Sequence, residues 1–165
     1  MQLHITCLAA YNNNKTHTMT IDLDTMHTAE EINEMIQDFL KDSPMDDAEE
    51  WAIHGYENFP DMGENPDLDE IETVLGLMDE YGQEVVCGVV EYTNCADAAH
   101  SMFTDRYLGT HDSYDEYVEQ YVDDCVLHEI PENLRGYFDY QRFGSDMEHD
   151  LEVIEVEGGV AIFHH

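Results

Sequence analysis

The charge of this 165-residue sequence limits what it can be: 39 Asp and Glu residues stand against five Lys and Arg, giving a formal net charge of −34 at pH 7. Binding to nucleic-acid phosphates requires clustered Lys and Arg, which this chain lacks. Adsorption to an anionic membrane surface requires the same cations. The composition therefore excludes ordinary nucleic-acid and membrane binding, and it demands a fold that tolerates strong self-repulsion.

A folded chain is nevertheless expected, because 42% of the residues are hydrophobic, 10% are aromatic and only four are proline. The length suits one domain or two to three small units. The longest apolar run, 85–90, is too short for a membrane span, and residues 3–10 lack the basic leader of a signal peptide. The four scattered cysteines contain no C-x-x-C motif, which is typical of reduced thiols in a cytoplasmic protein.

Residues 1–60 predict an N-terminal α+β unit. Alternating apolar and polar residues predict strands near 3–7 and 17–23, and a third strand begins at Trp51. Between them, Thr28 and Glu31 have the spacing of a capping box, which predicts a helix that stops at Ser43 and Pro44.

Residues 61–104 predict a helical middle unit. Asp67 is placed to cap a helix that ends at Gly82. Residues 84–92 are ambiguous, since their valines favour a strand whereas their spacing favours a helix; we interpret them as helix. Asn94 is expected to cap one more short helix.

Residues 105–165 predict a C-terminal α+β unit. Ser113 and Glu116 repeat the capping-box spacing, and the helix after them places tyrosines, valines and Cys125 on one side and acids on the other. A short helix at Pro131, a further helix near 139–147 and a closing hairpin that turns at Gly158–Gly159 complete the unit.

The negative charge is spread over all three segments. Their net charges are −10 for 1–60, −11 for 61–104 and −13 for 105–165. A single acidic tail is thereby excluded. Three interpretations remain: solubility or salt adaptation, cation binding, and imitation of nucleic acid.

The best calcium candidate is the twelve-residue segment 61–72. It has acids at its first and last positions, but Gly63 replaces a ligand and Pro66 stands where an EF-hand loop needs glycine. Imitation of nucleic acid requires rows of anions at the density of DNA, which advances about 3.4 Å per phosphate along one strand. A helix advances about 5.4 Å per turn, so several acidic helix faces side by side reach a similar density.

Catalysis is not indicated. The sequence contains no H-E-x-x-H, G-x-S-x-G, P-loop or G-x-G-x-x-G motif. Pairs of adjacent carboxylates arise by chance among 39 acids. We therefore expect no enzyme activity, no cofactor and no metal site.

Two segments resemble the ArdA antirestriction protein family. Residues 49–59, EEWAIHGYENF, are similar to a family signature in which Asp usually occupies the position of Gly55. Residues 131–134, PENL, and 137–147, YFDYQRFGSDM, are similar to its C-terminal segment. The closing hairpin, the length and the acidity match as well.

The resemblance implies an inhibitor of type I restriction–modification enzymes, encoded on a mobile genetic element and acting in the cytoplasm of a bacterial host. It implies imitation of bent B-form DNA and occupation of the DNA groove of the methyltransferase–specificity core. It also implies an α+β fold: an elongated chain of three small units that forms a curved homodimer through its C-terminal part.

The predicted site has two parts. The acidic surface presented to the enzyme is expected to include Glu30, Glu34, Asp69, Asp112, Asp115, Glu116, Glu119 and Asp123. The antirestriction and dimer region is expected to include Leu127, Leu134, Tyr137, Phe138, Asp139 and Tyr140. The alternative to mimicry is an acidic binding protein of another kind: a chaperone or regulator of a basic partner, or a salt-adapted domain.

Overall fold

A computed structural model describes residues 1–25 and 28–165 of the chain. These residues form two compact units, Met1–His100 and Ser101–His165. Each unit combines helices with one three-stranded antiparallel sheet, which confirms the predicted α+β class. The division into three segments and the dimer remain predictions.

The first unit combines strands and helices. Its elements are β1 (Gln2–Cys7), α1 (Leu8–Asn12), β2 (Thr18–Asp22), α2 (Ala29–Lys41), β3 (Trp51–Glu57), α3 (Leu68–Tyr81), α4 (Gln83–Thr93) and the start of α5 (Ala96–Arg106). The sheet order is β2-β1-β3. All three predicted strands are therefore present, whereas the short helix α1 was not predicted.

The central strand β1 carries the core of the first sheet. Leu3 and Ile5 are fully buried, and they pair with Ile21 and Met19 of β2. Thr20 and Asp22, on either side of Ile21, are exposed, as the alternation of apolar and polar residues predicted. A bulge between His4 and Ile5 shifts the register against β3.

Helix α2 begins at the predicted capping box. The Glu31 amide donates to Thr28 Oγ1 at 3.2 Å, and the Thr28 amide donates to Glu31 Oε2 at 2.9 Å. Ile32, Ile36 and Leu40 are buried on one face, because residues four apart lie one above the other. The predicted helix is thereby confirmed.

Helices α3 and α4 follow the predicted pattern and resolve the ambiguity at residues 84–92 in favour of a helix. Asp67 caps α3 by accepting from the Asp69 amide at 3.1 Å, and Gly82, at φ +93°, separates α3 from α4. The prediction for Asn94 was wrong: it ends α4 in the left-handed conformation, φ 51°, instead of capping α5. Asn tolerates this conformation better than most residues.

Two hydrogen bonds fasten the segment after residue 60 to the N-terminal elements. The Ala29 amide at the start of α2 donates to Glu72 Oε2 of α3 at 2.7 Å. The Ile53 amide of β3 donates to the Glu64 carbonyl at 2.8 Å. Residues on both sides of position 60 therefore belong to the same compact unit.

The second unit contains the end of α5 and nine further elements. They are β4 (Tyr107–His111), α6 (Tyr114–Tyr121), a π-helical turn (Val122–Val126), a 3₁₀ turn (Leu127–Glu129), α7 (Glu132–Arg135), α8 (Tyr140–Met147), β5 (Leu151–Val156) and β6 (Gly159–His164), with a 3₁₀ turn (Glu148–Asp150) before β5. The sheet order is β4-β6-β5. The strand β4 was not predicted.

The closing hairpin is present, but its turn is one residue earlier than predicted. Glu157 and Gly158 form the turn, with Gly158 at φ +87°, while Gly159 already pairs with Val156. A Cβ atom on Gly159 would lie 2.1 Å from the His111 carbonyl oxygen. Glycine is required there because β4 passes so closely.

The core of the second unit lies between α6 and the sheet. Tyr117, Val118, Val122, Leu151 and Ile162 form it. Helix α8 closes it from another side, because Gly144 lets its backbone approach Val118 and its carbonyl accepts from Tyr114 Oη at 2.6 Å.

The prediction that Cys125 would share the inner face of α6 was wrong, since Cys125 is exposed. The helix widens into the π-helical turn Val122–Val126. Such a turn accommodates one extra residue and rotates everything after it.

Candidate functional site

The acidic side chains cover the surfaces of both units. Within residues 1–25 and 28–165, the half-buried acids are Glu70, Glu72 and Glu152, and every other Asp and Glu is exposed. Residues 1–100 hold 23 acidic against two basic residues, and residues 101–165 hold 16 against three. Each unit by itself is therefore strongly anionic.

Three predicted site residues lie in the first unit. Glu30 and Glu34 are exposed one turn apart on α2, away from buried Ile32 and Ile36. Asp69 is exposed in the first turn of α3, where a carboxylate is favourable beside the unpaired amides of a helix N-terminus.

The other five predicted acids lie in α6 or directly beside it, with Asp112 before the helix and Asp123 in the π-helical turn after it. Asp112, Asp115, Glu116, Glu119 and Asp123 are all exposed, whereas Tyr117, Val118 and Val122 are buried on the opposite side. The helical spacing predicted this separation, and the structure confirms that the five residues share one segment. Acids four residues apart advance about 6 Å along the axis.

Two of these carboxylates also hold the local structure together. Glu116 Oε2 accepts from the Asp112 amide at 2.9 Å, and the Glu116 amide donates to Ser113 Oγ at 3.2 Å. The predicted capping box is therefore half formed, because the Glu116 carboxylate binds the residue before the cap.

The second structural carboxylate is Asp123. Its Oδ1 accepts from Tyr140 Oη of α8 at 2.8 Å. This hydrogen bond raises the pKa of the Tyr140 phenol, with smaller contributions from burial and from the charges of Asp123 and Glu119. The bond ties the Asp123 carboxylate, in the turn after α6, to the first residue of α8.

Several of the five Lys and Arg residues have local partners. Lys41 Nζ lies 2.7 Å from Asp38 Oδ1, and Arg106 Nη1 lies 3.5 Å from Glu152 Oε2. Arg135 Nε donates to the Ile130 carbonyl at 3.0 Å. With so few cations available, most of the carboxylate charge is left uncompensated.

The predicted antirestriction and dimer region divides into two groups. Leu127, Phe138 and Tyr140 are half-buried against the core of the second unit, and Asp139 caps α8 by accepting from the Arg142 amide at 3.1 Å. Leu134 and Tyr137, in contrast, are 49% and 85% exposed. Of the six residues predicted for this region, these two present large apolar surfaces to solvent.

The signature segment 49–59 forms β3 and the residues after it. It contributes to a groove of about 910 Å³ that also receives residues from α1, α4 and the 61–64 loop. This groove was not predicted from the sequence, because it is assembled from separate segments that meet only in the folded unit. At the departure from the signature, a Cβ on Gly55 would lie 3.1 Å from His4 Cδ2.

The calcium candidate 61–72 does not form a twelve-residue loop. Its last five residues belong to α3, and Asp67 caps that helix. Within the described ranges 1–25 and 28–165, no group of three or more His, Cys, Asp and Glu side chains is arranged to hold a metal ion. In the same ranges, no helix has both the length and the apolar character needed to cross a membrane.

Comparison with known proteins gives the family. A search of curated proteins finds no match. The family model described as "Antirestriction protein (ArdA)" matches residues 3–162, which includes both units. The chain therefore belongs to the ArdA family of antirestriction proteins, which are inhibitors of restriction and not enzymes.

Proposed function

We propose that this protein inhibits type I restriction–modification enzymes by occupying the DNA groove of their methyltransferase–specificity core. Carboxylates then take the place of phosphates against the lysines and arginines of the enzyme. The observation that carries the proposal is the exposure of nearly every acid on folded units of an antirestriction protein.

Helix α6 shows how such a surface is organised. In and beside this helix, exposed acids recur at spacings of three to four residues, as in Asp112, Glu116, Glu119 and Asp123, with Asp115 adjacent to Glu116. Along such a row the carboxylates advance by about 4.5–6 Å. One strand of DNA advances about 3.4 Å per phosphate. The two spacings are of the same order, and acids on neighbouring elements narrow the difference.

The acidic faces are attached to ordered elements. The inner faces of α2, α3 and α6 are buried in cores, and Glu116 and Asp123 accept hydrogen bonds that restrict them. A polyanion that is already ordered loses less conformational entropy on binding than a flexible one. This order supports mimicry of a duplex over a loose electrostatic association.

We further propose that the active form is a homodimer joined through the C-terminal region. The exposed side chains of Leu134 and Tyr137 support this, since an apolar contact can bring together two chains that repel each other. Sedimentation of the wild type and of Tyr137→Ala would test it. A wild type that remains monomeric at the concentrations that inhibit restriction contradicts the dimer.

The experiment that tests the function is competition. A labelled duplex bound to a purified methyltransferase–specificity core is titrated with the protein, and displacement is followed by fluorescence anisotropy. We expect displacement without any binding of the protein to the duplex itself, and we expect it to weaken steeply with salt because screening removes charge pairing.

Two outcomes would contradict the proposal. Failure to displace duplex while the enzyme is still inhibited would place the contact elsewhere. Equally strong binding to histones or other free basic proteins would favour the acidic chaperone or regulator instead.

A further inference from the structure

The groove on the first unit has walls of aromatic rings. The Tyr11 ring is 61% exposed and meets the His54 ring edge-on, with centroids 5.3 Å apart. The Tyr56 and Phe59 rings are stacked at 6.3 Å. All four residues line the same cavity of about 910 Å³.

Carboxylates lie on the same groove. Asp61, Glu64 and Glu91 line it together with the rings, and all three are exposed. The first two belong to a loop held beside β3 by the hydrogen bond from the Ile53 amide to the Glu64 carbonyl. No Lys or Arg is among the residues that line this groove in the described part of the chain.

The groove is fixed before any ligand arrives. Tyr56 Oη donates to the Gly63 carbonyl at 2.6 Å, and the Gly63 amide donates to Asp61 Oδ1 at 2.9 Å. Burial, assisted by the nearby charge of Asp61, raises the pKa of Tyr56 to about 12. Its phenol therefore stays neutral and keeps its donor at physiological pH.

We propose that this groove binds an arginine side chain of the protein partner, with the guanidinium group against the Tyr11 ring and facing the carboxylates. The identity of the partner rests on the proposed function, whereas the chemistry of the groove does not. The site would add a shape-specific contact to an association that is otherwise carried by dispersed charge.

Arginine fits this groove better than lysine. Its planar guanidinium stacks on aromatic faces and donates several hydrogen bonds in one plane. A lysine ammonium is a more strongly hydrated point charge and gains less from an aromatic wall. A preference for arginine over lysine, which carries the same charge, therefore distinguishes binding in this groove from binding to the rest of the anionic surface.

The test is an NMR titration of the full chain with two peptides of equal charge, acetyl-Gly-Arg-Gly-amide and acetyl-Gly-Lys-Gly-amide. It is run at about 0.15 M salt, where charges farther apart than about 8 Å are screened. We expect the arginine peptide to bind at least about twofold tighter and to shift the amides of 8–12 and 53–64 preferentially.

Matched variants localise the effect. Tyr11→Ala should lower the affinity for the arginine peptide about two- to fivefold. Tyr92→Ala is the control: Tyr92 is similarly exposed, at 59%, but lies outside the lining of this groove in the described structure, so its loss should leave the affinity unchanged. Glu91→Gln should weaken binding more than Glu84→Gln; both are exposed acids of α4, but only Glu91 lines the groove. If Tyr11→Ala disturbs the fold, the glutamate pair decides.

Equal affinity for the two peptides, shifts scattered over the whole acidic surface, or equal effects of the matched variants would overturn the proposal. The titration contains no restriction enzyme. A chain that binds arginine but does not inhibit restriction would refute only the proposed function, and one that inhibits without arginine preference would refute only the groove.

Discussion

Substitution of Gly159 by alanine should destabilise the second unit through one contact. The added Cβ would lie 2.1 Å from the His111 carbonyl oxygen and 3.1 Å from Asp112 Cα. Because both neighbours are backbone atoms, no side-chain rotation can relieve the overlap. The strand β4 must move by more than an ångström relative to β6, and the pairing of His111 with Val160 lies at the point of contact.

The expected cost is about 1–3 kcal/mol or more, which is typical of forcing extra volume into a packed structure. Proteins are stabilised by roughly 0.05–0.15 kcal/mol per residue, so this cost is a large share of the stability of the unit Ser101–His165. The displaced strand leads directly into Asp112 and the acids of α6. Inhibition of restriction should therefore fall together with stability.

The measurement is urea denaturation combined with hydrogen exchange of peptides that contain β4 and β6. Gly136→Ala is the control, since a Cβ there meets nothing within 4 Å and Gly136 has a helical φ of −68°. We expect the control to change stability by less than about 0.5 kcal/mol. If Gly159→Ala and Gly136→Ala unfold at the same urea concentration with equal exchange protection of β4, the steric reasoning is refuted.

Three further predictions follow from the described contacts. Thr28→Ala should cost about 1 kcal/mol, measured by urea denaturation, through loss of the cap on α2; an unchanged midpoint would show that the cap is redundant. The pKa of Tyr56 and of Tyr114 is raised to about 12, so their contribution to stability is present below pH 10 and is lost between pH 10 and about 12; spectrophotometric titration of the wild type should show at least two phenols that ionise near pH 12, and a titration in which every phenol ionises near pH 10 would contradict the packing. Asp115→Asn combined with Glu119→Gln should weaken enzyme binding only about two- to tenfold and reduce its salt dependence, because exposed charge pairs contribute little individually; abolition of inhibition by either single change in a folded protein would refute dispersed charge matching.

The sequence predicted the features of the fold that depend on interactions between residues close together in the chain. The cap at Thr28, the stop at Gly82 and the buried stripe of α2 all follow from hydrogen bonding and spacing within one segment. The strand β4 was missed because it contains Gly109 at φ +138° and is defined by pairing with β6, about fifty residues later. Nothing in the sequence of residues 107–111 indicates that they pair with β6.

The candidate site shows the same limit. Exposure of the acids was predictable, because unpaired carboxylates remain in water. The hydrogen bond between Asp123 and Tyr140 was not, since it depends on how α6 and α8 pack. The groove around Tyr11 and His54 was invisible for the same reason, because rings and carboxylates far apart in sequence meet only in the folded unit.

The π-helical turn at Val122–Val126 changes the direction in which the side chains after it point. Beyond it, each side chain points about one residue's rotation away from where an uninterrupted helix would direct it, as Cys125 illustrates. Two family members that differ by this single extra residue would display the same letters in different directions. Acidic positions after residue 122 should therefore be matched between relatives by superposed coordinates, since counting along the chain would pair carboxylates that point in different directions.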